Sequence, residues 1–112
     1  LHSAIEIPDA RCVDFVTAGE TQLIADNACA SWFVLGPPTT SDWRNIDLRD
    51  HQVQVLVNGT VVEEGVGSNV LGDPRVALTW IVNELSHEGI GLKSGEVITT
   101  GTCVLPCLFI HI

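Results

Sequence analysis

The sequence predicts a β-rich α+β domain with two short helices, and three observations carry that prediction. Two alternating apolar runs flank an Asn58-Gly59 dipeptide, an amphipathic run opens on Asp73-Pro74, and further short apolar segments are cut by Gly and Pro. The first requires a hairpin, because Asn and Gly accept the two positive-φ positions of a type I′ turn. In the second, Asp at the N-cap and Pro at the first helical position suit a helix start, where the missing N–H costs nothing. The third is the pattern of strands bounded by turn residues.

Taken in order, Ala4 to Ile7 alternates, placing Ala4 and Glu6 on one face and Ile5 and Ile7 on the other. Pro8 ends that strand. Asp9 and Arg11 follow at a spacing that lets a carboxylate and a guanidinium pair across a turn, which is expected to be a structural ion pair. Thr21 to Ser31 has a helix-compatible pattern, with Leu23 and Ile24 facing a core and Ala25, Ala28 and Ala30 allowing close approach. Asp26-Asn27 lies in the middle of it. Two polar residues among small apolar ones are either solvated or aimed at a ligand, and spacing alone leaves both open.

Trp32 to Leu35 reads as a short buried strand, and 36–42, with its Pro-Pro pair, as a loop. In the hairpin, His51 to Val57 runs out and Thr60 to Val66 returns. That register sets Val55 opposite Val62 and Leu56 beside Val61, so both faces are apolar and the ribbon should be covered twice. The helix from Pro74 runs to about Glu88, with Ala77, Trp80, Ile81 and Leu85 on its buried face, and Gly89 ends it. Leu92 to Gly95 is a turn that delivers a strand from Glu96 to Thr100, followed by the Gly101-Thr102 loop. The whole stretch from Gly65 to Thr102 reads as one wall of an active site. An ordinary helix-turn-strand unit with a glycine loop is the competing interpretation.

Composition narrows the function classes. A chain of 112 residues makes at most one domain, 1–112, without internal repeat or low-complexity linker. Net charge is −9 with only five Lys and Arg, which argues against a nucleic-acid surface and for a cation as the electrostatic partner. No run approaches the length of about 20 apolar residues that spans a bilayer, and no signal-peptide pattern opens the chain, so a soluble, cytoplasmic protein without membrane contact is expected. At 46% hydrophobic residues the chain is apolar for something so acidic, so part of that surface is expected to meet a second copy or a complementary chain. Cys12, Cys29, Cys103 and Cys107 lack metal-ligand or redox-pair spacing and read as buried reduced thiols. His2, His51, His87 and His111 are scattered and read as surface or satisfied core residues.

Five co-linear blocks are more specific than any of these patterns: SAIEIPDAR from Ser3, IADNACASWFVLG from Ile24, NIDLR from Asn45, NGTVVEEGVGSNVLGDPRVALTWIVNEL from Asn58 and GLKSGEVITTGTC from Gly91. Together they resemble the C-terminal half of the 2-oxopent-4-enoate hydratases, within the fumarylacetoacetate hydrolase superfamily. The resemblance implies a mixed β-sheet roll. It also implies metal-assisted addition of water to 2-hydroxypenta-2,4-dienoate, giving 4-hydroxy-2-oxopentanoate, so the small-molecule partner would be a 2-oxo or 2-hydroxy dienoate acid. In such enzymes Mg²⁺ or Mn²⁺ is held by an upstream Glu-x-Glu pair and a third acid in the block matching AIEIPDAR, which here is Glu6. By the same resemblance Asp26 would orient water or relay a proton, and Asn27 would line the pocket. Thr100, Gly101 and Thr102 would hydrogen-bond the substrate carboxylate.

Relatives in that family are more than twice as long, and neither the Glu-x-Glu pair nor the N-terminal lysine and acid has a counterpart here. After Cys103 the wording also departs from the family pattern, so a truncated or altered gene product is expected. Three functions follow: a hydratase half that needs a complementary chain, a 4-oxalocrotonate-type decarboxylase, or a non-catalytic assembly module of the same fold. The Thr100 to Cys103 wording favours the hydratase.

Overall fold

The structure, a computed structural model, describes residues 1–104. Cys107 and His111 lie outside the described residues. The chain folds as two compact units, Leu1–Arg44 and the residues from Asn45 onward.

In the first unit, β1 (His2–Ile7) pairs antiparallel with β2 (Trp32–Pro38), and α1 (Glu20–Ala25) lies between them in sequence. Alternation along β1 is as expected: Glu6 pairs with Phe33 and Ala4 with Leu35, opposite in face to Ile5 and Ile7. β2 runs three residues beyond the expected end. The register shifts between His2 and Ala4, which lets Gly36 and both prolines continue the pairing across a bulge. Only glycine fits there, since a Cβ on Gly36 would come within 2.7 Å of the Ser3 carbonyl oxygen. Prolines are tolerated because a two-stranded sheet has only edge strands, whose outward N–H needs no partner.

α1 opens on Gly19, whose N–H donates to Gln22 Oε1 at 2.7 Å, half of a capping box. The expected helix from Thr21 to Ser31 is corrected here. It ends at Ala25, and Asn27, Ala28 and Cys29 form a tight turn with φ of 54, 52 and 62°. No propensity scale anticipates three consecutive left-handed residues without a glycine, because each costs backbone energy that only outside contacts can offset.

In the second unit, β3 (Gln52–Val57) and β4 (Thr60–Val66) form the expected hairpin, with Asn58 and Gly59 at φ of 51 and 80°. Leu56 pairs with Val61 as expected. Val55, however, pairs with Glu63 and not with Val62, because the register shifts between Val55 and Leu56 and leaves Val62 as the extra residue of a bulge. α2 (Pro74–His87) follows, its N-cap Asp73 accepting from the Arg75 N–H at 2.8 Å and Gly89 at φ 71° beyond its end. Ala77, Ile81 and Leu85 form a half-buried stripe. Trp80 is corrected from that face, being 61% exposed at the margin of the stripe.

The turn before residue 96 is present, with the Glu96 N–H donating to the Lys93 carbonyl and Gly95 at φ 93°. The strand expected from Glu96 to Thr100 is not. That segment joins no ladder among the described residues, and a strand is defined by its partner and not by its own apolar alternation. Core is scarce. Among the described residues Val70 is the buried apolar side chain, while Trp32, Ile5, Leu71 and Ile24 are all more than half exposed. Among the described residues no helix is long and apolar enough to cross a membrane.

Candidate functional site

Glu6, Asp26 and Asn27 belong to the first unit, and Thr100, Gly101 and Thr102 to the second. Asp26 is the buried polar residue of the described chain. Its partner is Arg11, which therefore does not make the ion pair with Asp9 that sequence spacing suggested. The Arg11 backbone N–H donates to Asp26 Oδ1 at 3.2 Å, Nη1 donates to the same oxygen at 3.0 Å and to the Asp26 carbonyl at 2.9 Å, and Nη2 donates to the Ala30 carbonyl at 2.9 Å. Asp9 instead gives its N–H to the Cys29 carbonyl at 2.9 Å. One guanidinium thus grips both ends of the left-handed turn.

Hydrogen bonds from the Arg11 side chain, more than burial opposes, hold the Asp26 carboxyl below the usual carboxylate range. The Cys29 thiol faces the same carboxylate, and burial and that negative charge push the thiol up. Asn27 and Ala28, at the tip of the turn, are exposed. Glu6 is exposed on β1.

In the second unit the Thr100 to Thr102 loop is held from beneath by the turn after β4. Cys103 carbonyl oxygen accepts from the Val66 N–H at 3.2 Å and from Asn69 Nδ2 at 2.8 Å. Gly101, at φ 117°, lies on buried Val70, and a Cβ there would reach 3.2 Å from Val70 Cγ1. Thr102 Oγ1 donates to the Val104 carbonyl at 2.6 Å. Tighter still is Gly67, where a Cβ would fall 1.7 Å from the Leu48 carbonyl oxygen. Asn69 is a positioning side chain that the sequence did not single out beyond its place inside a block, and Arg11 was singled out with the wrong partner, Asp9 in place of Asp26, since both true partners are distant in sequence.

A shallow hollow of about 470 Å³ lies along the hairpin, lined by Asp50, Gln52, Gln54 and Glu64 among others, and includes none of the predicted site residues. Among the described residues no three His, Cys, Asp or Glu gather as metal ligands. Cys12, Cys29 and Cys103 are free thiols, as expected, but half-buried where full burial was expected.

The model of the fumarylacetoacetate (FAA) hydrolase C-terminal domain matches residues 6–107. The chain belongs to the fumarylacetoacetate hydrolase family. It is 39% identical over 98 residues to 2-hydroxyhexa-2,4-dienoate hydratase of Comamonas testosteroni, covering 87% of this chain and 36% of that protein. It is 34% identical over 100 residues to 2-keto-4-pentenoate hydratase of Burkholderia vietnamiensis, covering 88% and 37% respectively. Among solved structures, 4-oxalocrotonate decarboxylase from Pseudomonas putida G7, complexed with magnesium and adipate, superposes with a TM-score of 0.76 at 32% identity. That match covers 93% of this chain and 39% of the decarboxylase. This member of the family therefore spans somewhat more than a third of the length of the relatives it matches, and both its β-rich α+β class and its resemblance to the hydratases are shown by these comparisons.

Proposed function

We propose that the chain is the C-terminal part of a hydratase that adds water to 2-hydroxypenta-2,4-dienoate, giving 4-hydroxy-2-oxopentanoate. The observation that carries this reading is the 39% identity over 98 residues to a dienoate hydratase, together with a family match over residues 6–107, a span that contains Glu6, Asp26 and Thr100 to Thr102. The Thr100 hydroxyl and the exposed backbone at Gly101 are suited to receive a carboxylate, and the Thr102 hydroxyl would have to leave the Val104 carbonyl to join them. Asn27, exposed at the tip of its turn, offers an amide that both donates and accepts. Asp26 is assigned to orient water or relay a proton. Its depressed pKa favours orientation, because a carboxylate stabilised as the anion is a weak base.

Glu6 would supply one carboxylate to a divalent cation, magnesium or manganese, as an oxygen-preferring hard ion requires. Relatives complexed with magnesium or with calcium support a divalent metal. The described residues do not by themselves complete such a site, so the remaining oxygens must come from elsewhere. The exposed apolar side chains favour association with a second copy or a complementary chain.

Ultraviolet loss of the dienol would test the activity. The chain should be inactive or feeble alone with Mg²⁺, and active once the separately expressed N-terminal part of a hydratase relative, carrying the Glu-x-Glu pair, is added. Glu6→Gln should abolish the restored activity without unfolding the chain. Release of carbon dioxide from 4-oxalocrotonate, with no hydration, would instead establish the decarboxylase, whose family relatives match at 33% and 32% identity.

A further inference from the structure

Three consecutive non-glycine residues in the left-handed region are uncommon enough to need a cause. Asn27, Ala28 and Cys29 occupy it with φ of 54, 52 and 62°, and Ala28 has no side-chain polar group with which to offset the cost. Such strain persists only where surroundings over-determine it, and it concentrates where a ligand is gripped. The contacts that over-determine it here converge on one residue. Arg11 Nη1 holds the carbonyl and carboxylate of Asp26, immediately before the run, and Nη2 holds the carbonyl of Ala30, immediately after it. Within the span the Ala30 N–H closes onto the Asn27 carbonyl at 3.1 Å, and the Asp9 N–H holds the Cys29 carbonyl. Asp26 is buried, whereas the Asn27 it precedes is exposed. The clamp lies beneath and the amide stands above it.

We propose that Arg11 is a positioning residue whose guanidinium holds the left-handed Asn27–Ala28–Cys29 turn and so sets where the Asn27 amide is presented to a small carboxylic acid. This rests on the hydratase reading only for the ligand; the dependence of the turn on Arg11 stands on the hydrogen bonds alone. Lysine cannot replace it, since an ammonium is a single point and cannot span the Asp26 and Ala30 carbonyls as the planar fork does.

The test uses the 112-residue chain in wild-type, Arg11→Lys and Arg11→Lys/Ala28→Gly forms, with backbone couplings read by NMR at residues 27 to 29 and adipate titrated in the presence of Mg²⁺. The wild type should show positive φ at all three positions and adipate-dependent shifts of the Asn27 side-chain amide. Arg11→Lys should lose the positive-φ couplings and bind adipate about tenfold more weakly, as expected for residues that must be re-strained on binding. Glycine at position 28 should restore part of both, because it reaches the left-handed region without a clamp. Positive φ retained in Arg11→Lys overturns the proposal. Loss of affinity without loss of the turn, or without rescue by glycine, overturns it as well. A wild type that shows the turn but no adipate shifts overturns the ligand half and leaves the hydratase reading to its own complementation test, while the couplings still decide what Arg11 does.

Discussion

Arg11 reaches one carboxylate, that of Asp26, from both its backbone N–H and its guanidinium, with Nη1 3.0 Å from Oδ1. The Asp26 side chain is 4% exposed and that of Arg11 61%, so the pair is buried on its acidic side and open on its basic side. This asymmetry leaves the aspartate dependent on the arginine.

Acid should expose that dependence. Asp26 and Asp73 both titrate below their ordinary value of 3.8 in the folded chain, held down chiefly by hydrogen bonds from Arg11 and Arg75. A carboxyl whose folded pKa is depressed contributes stability that is fully present above the unfolded pKa and is lost as pH falls through the folded one. Thermal melts should therefore fall most steeply below pH 3.8. Arg11→Gln should flatten that part of the profile, and an unchanged profile would separate Asp26 from acid stability.

Substitutions at glycine should sort by what a Cβ meets. Gly67→Ala places a methyl against the Leu48 backbone, which cannot swing aside, and should cost about 3 kcal/mol or more in urea unfolding. Gly91 has nothing within 4 Å and no positive φ, so Gly91→Ala should be neutral or stabilise by about 0.5 kcal/mol. Equal effects at the two sites would contradict the packing.

Relief of strain predicts the opposite sign at Ala28. With φ of 52°, Ala28→Gly should stabilise the first unit by about 0.5 to 1 kcal/mol. Urea melts would show it, and destabilisation would mean that the left-handed turn is not occupied in solution.

Thiol chemistry gives an independent probe of the same corner. Cys29 is pushed up by burial and by Asp26, and Cys103 by burial, so both should alkylate more slowly than free glutathione at pH 8. Asp26→Asn should accelerate Cys29 and leave Cys103 unaffected. Peptide mapping after brief iodoacetamide treatment would decide it.

Association is the last expectation. With Val70 as the buried apolar side chain among the described residues, much apolar surface awaits cover. Sedimentation should find a dimer or higher species at micromolar concentration. A persistent monomer would favour a complementary chain as the cover.

The hairpin and the second helix were legible because their signals are local. Asn58-Gly59 sets its own turn, and Asp73-Pro74 sets its own cap, within a few residues of the structure each produces. The bulge at Val62 was not legible, because Val61 and Val62 stand side by side in the sequence and the ladder alone chooses which of them is paired. The segment from Glu96 to Thr100 has strand composition, but its pairing depends on a neighbour.

By itself, then, the sequence determined the β-rich class, the hairpin, the capped helix and, through five co-linear blocks, membership of the hydrolase family. Only the tertiary structure decided that α1 stops at Ala25, that Asn27 to Cys29 turn left-handed, that Arg11 grips Asp26 and not Asp9, and that Asn69 braces the loop ending at Cys103. The physical reason is range. Caps and tight turns act over three or four residues and appear as spacing, whereas these contacts join groups 15 and 34 residues apart, and their energy exists only once the chain has brought them together.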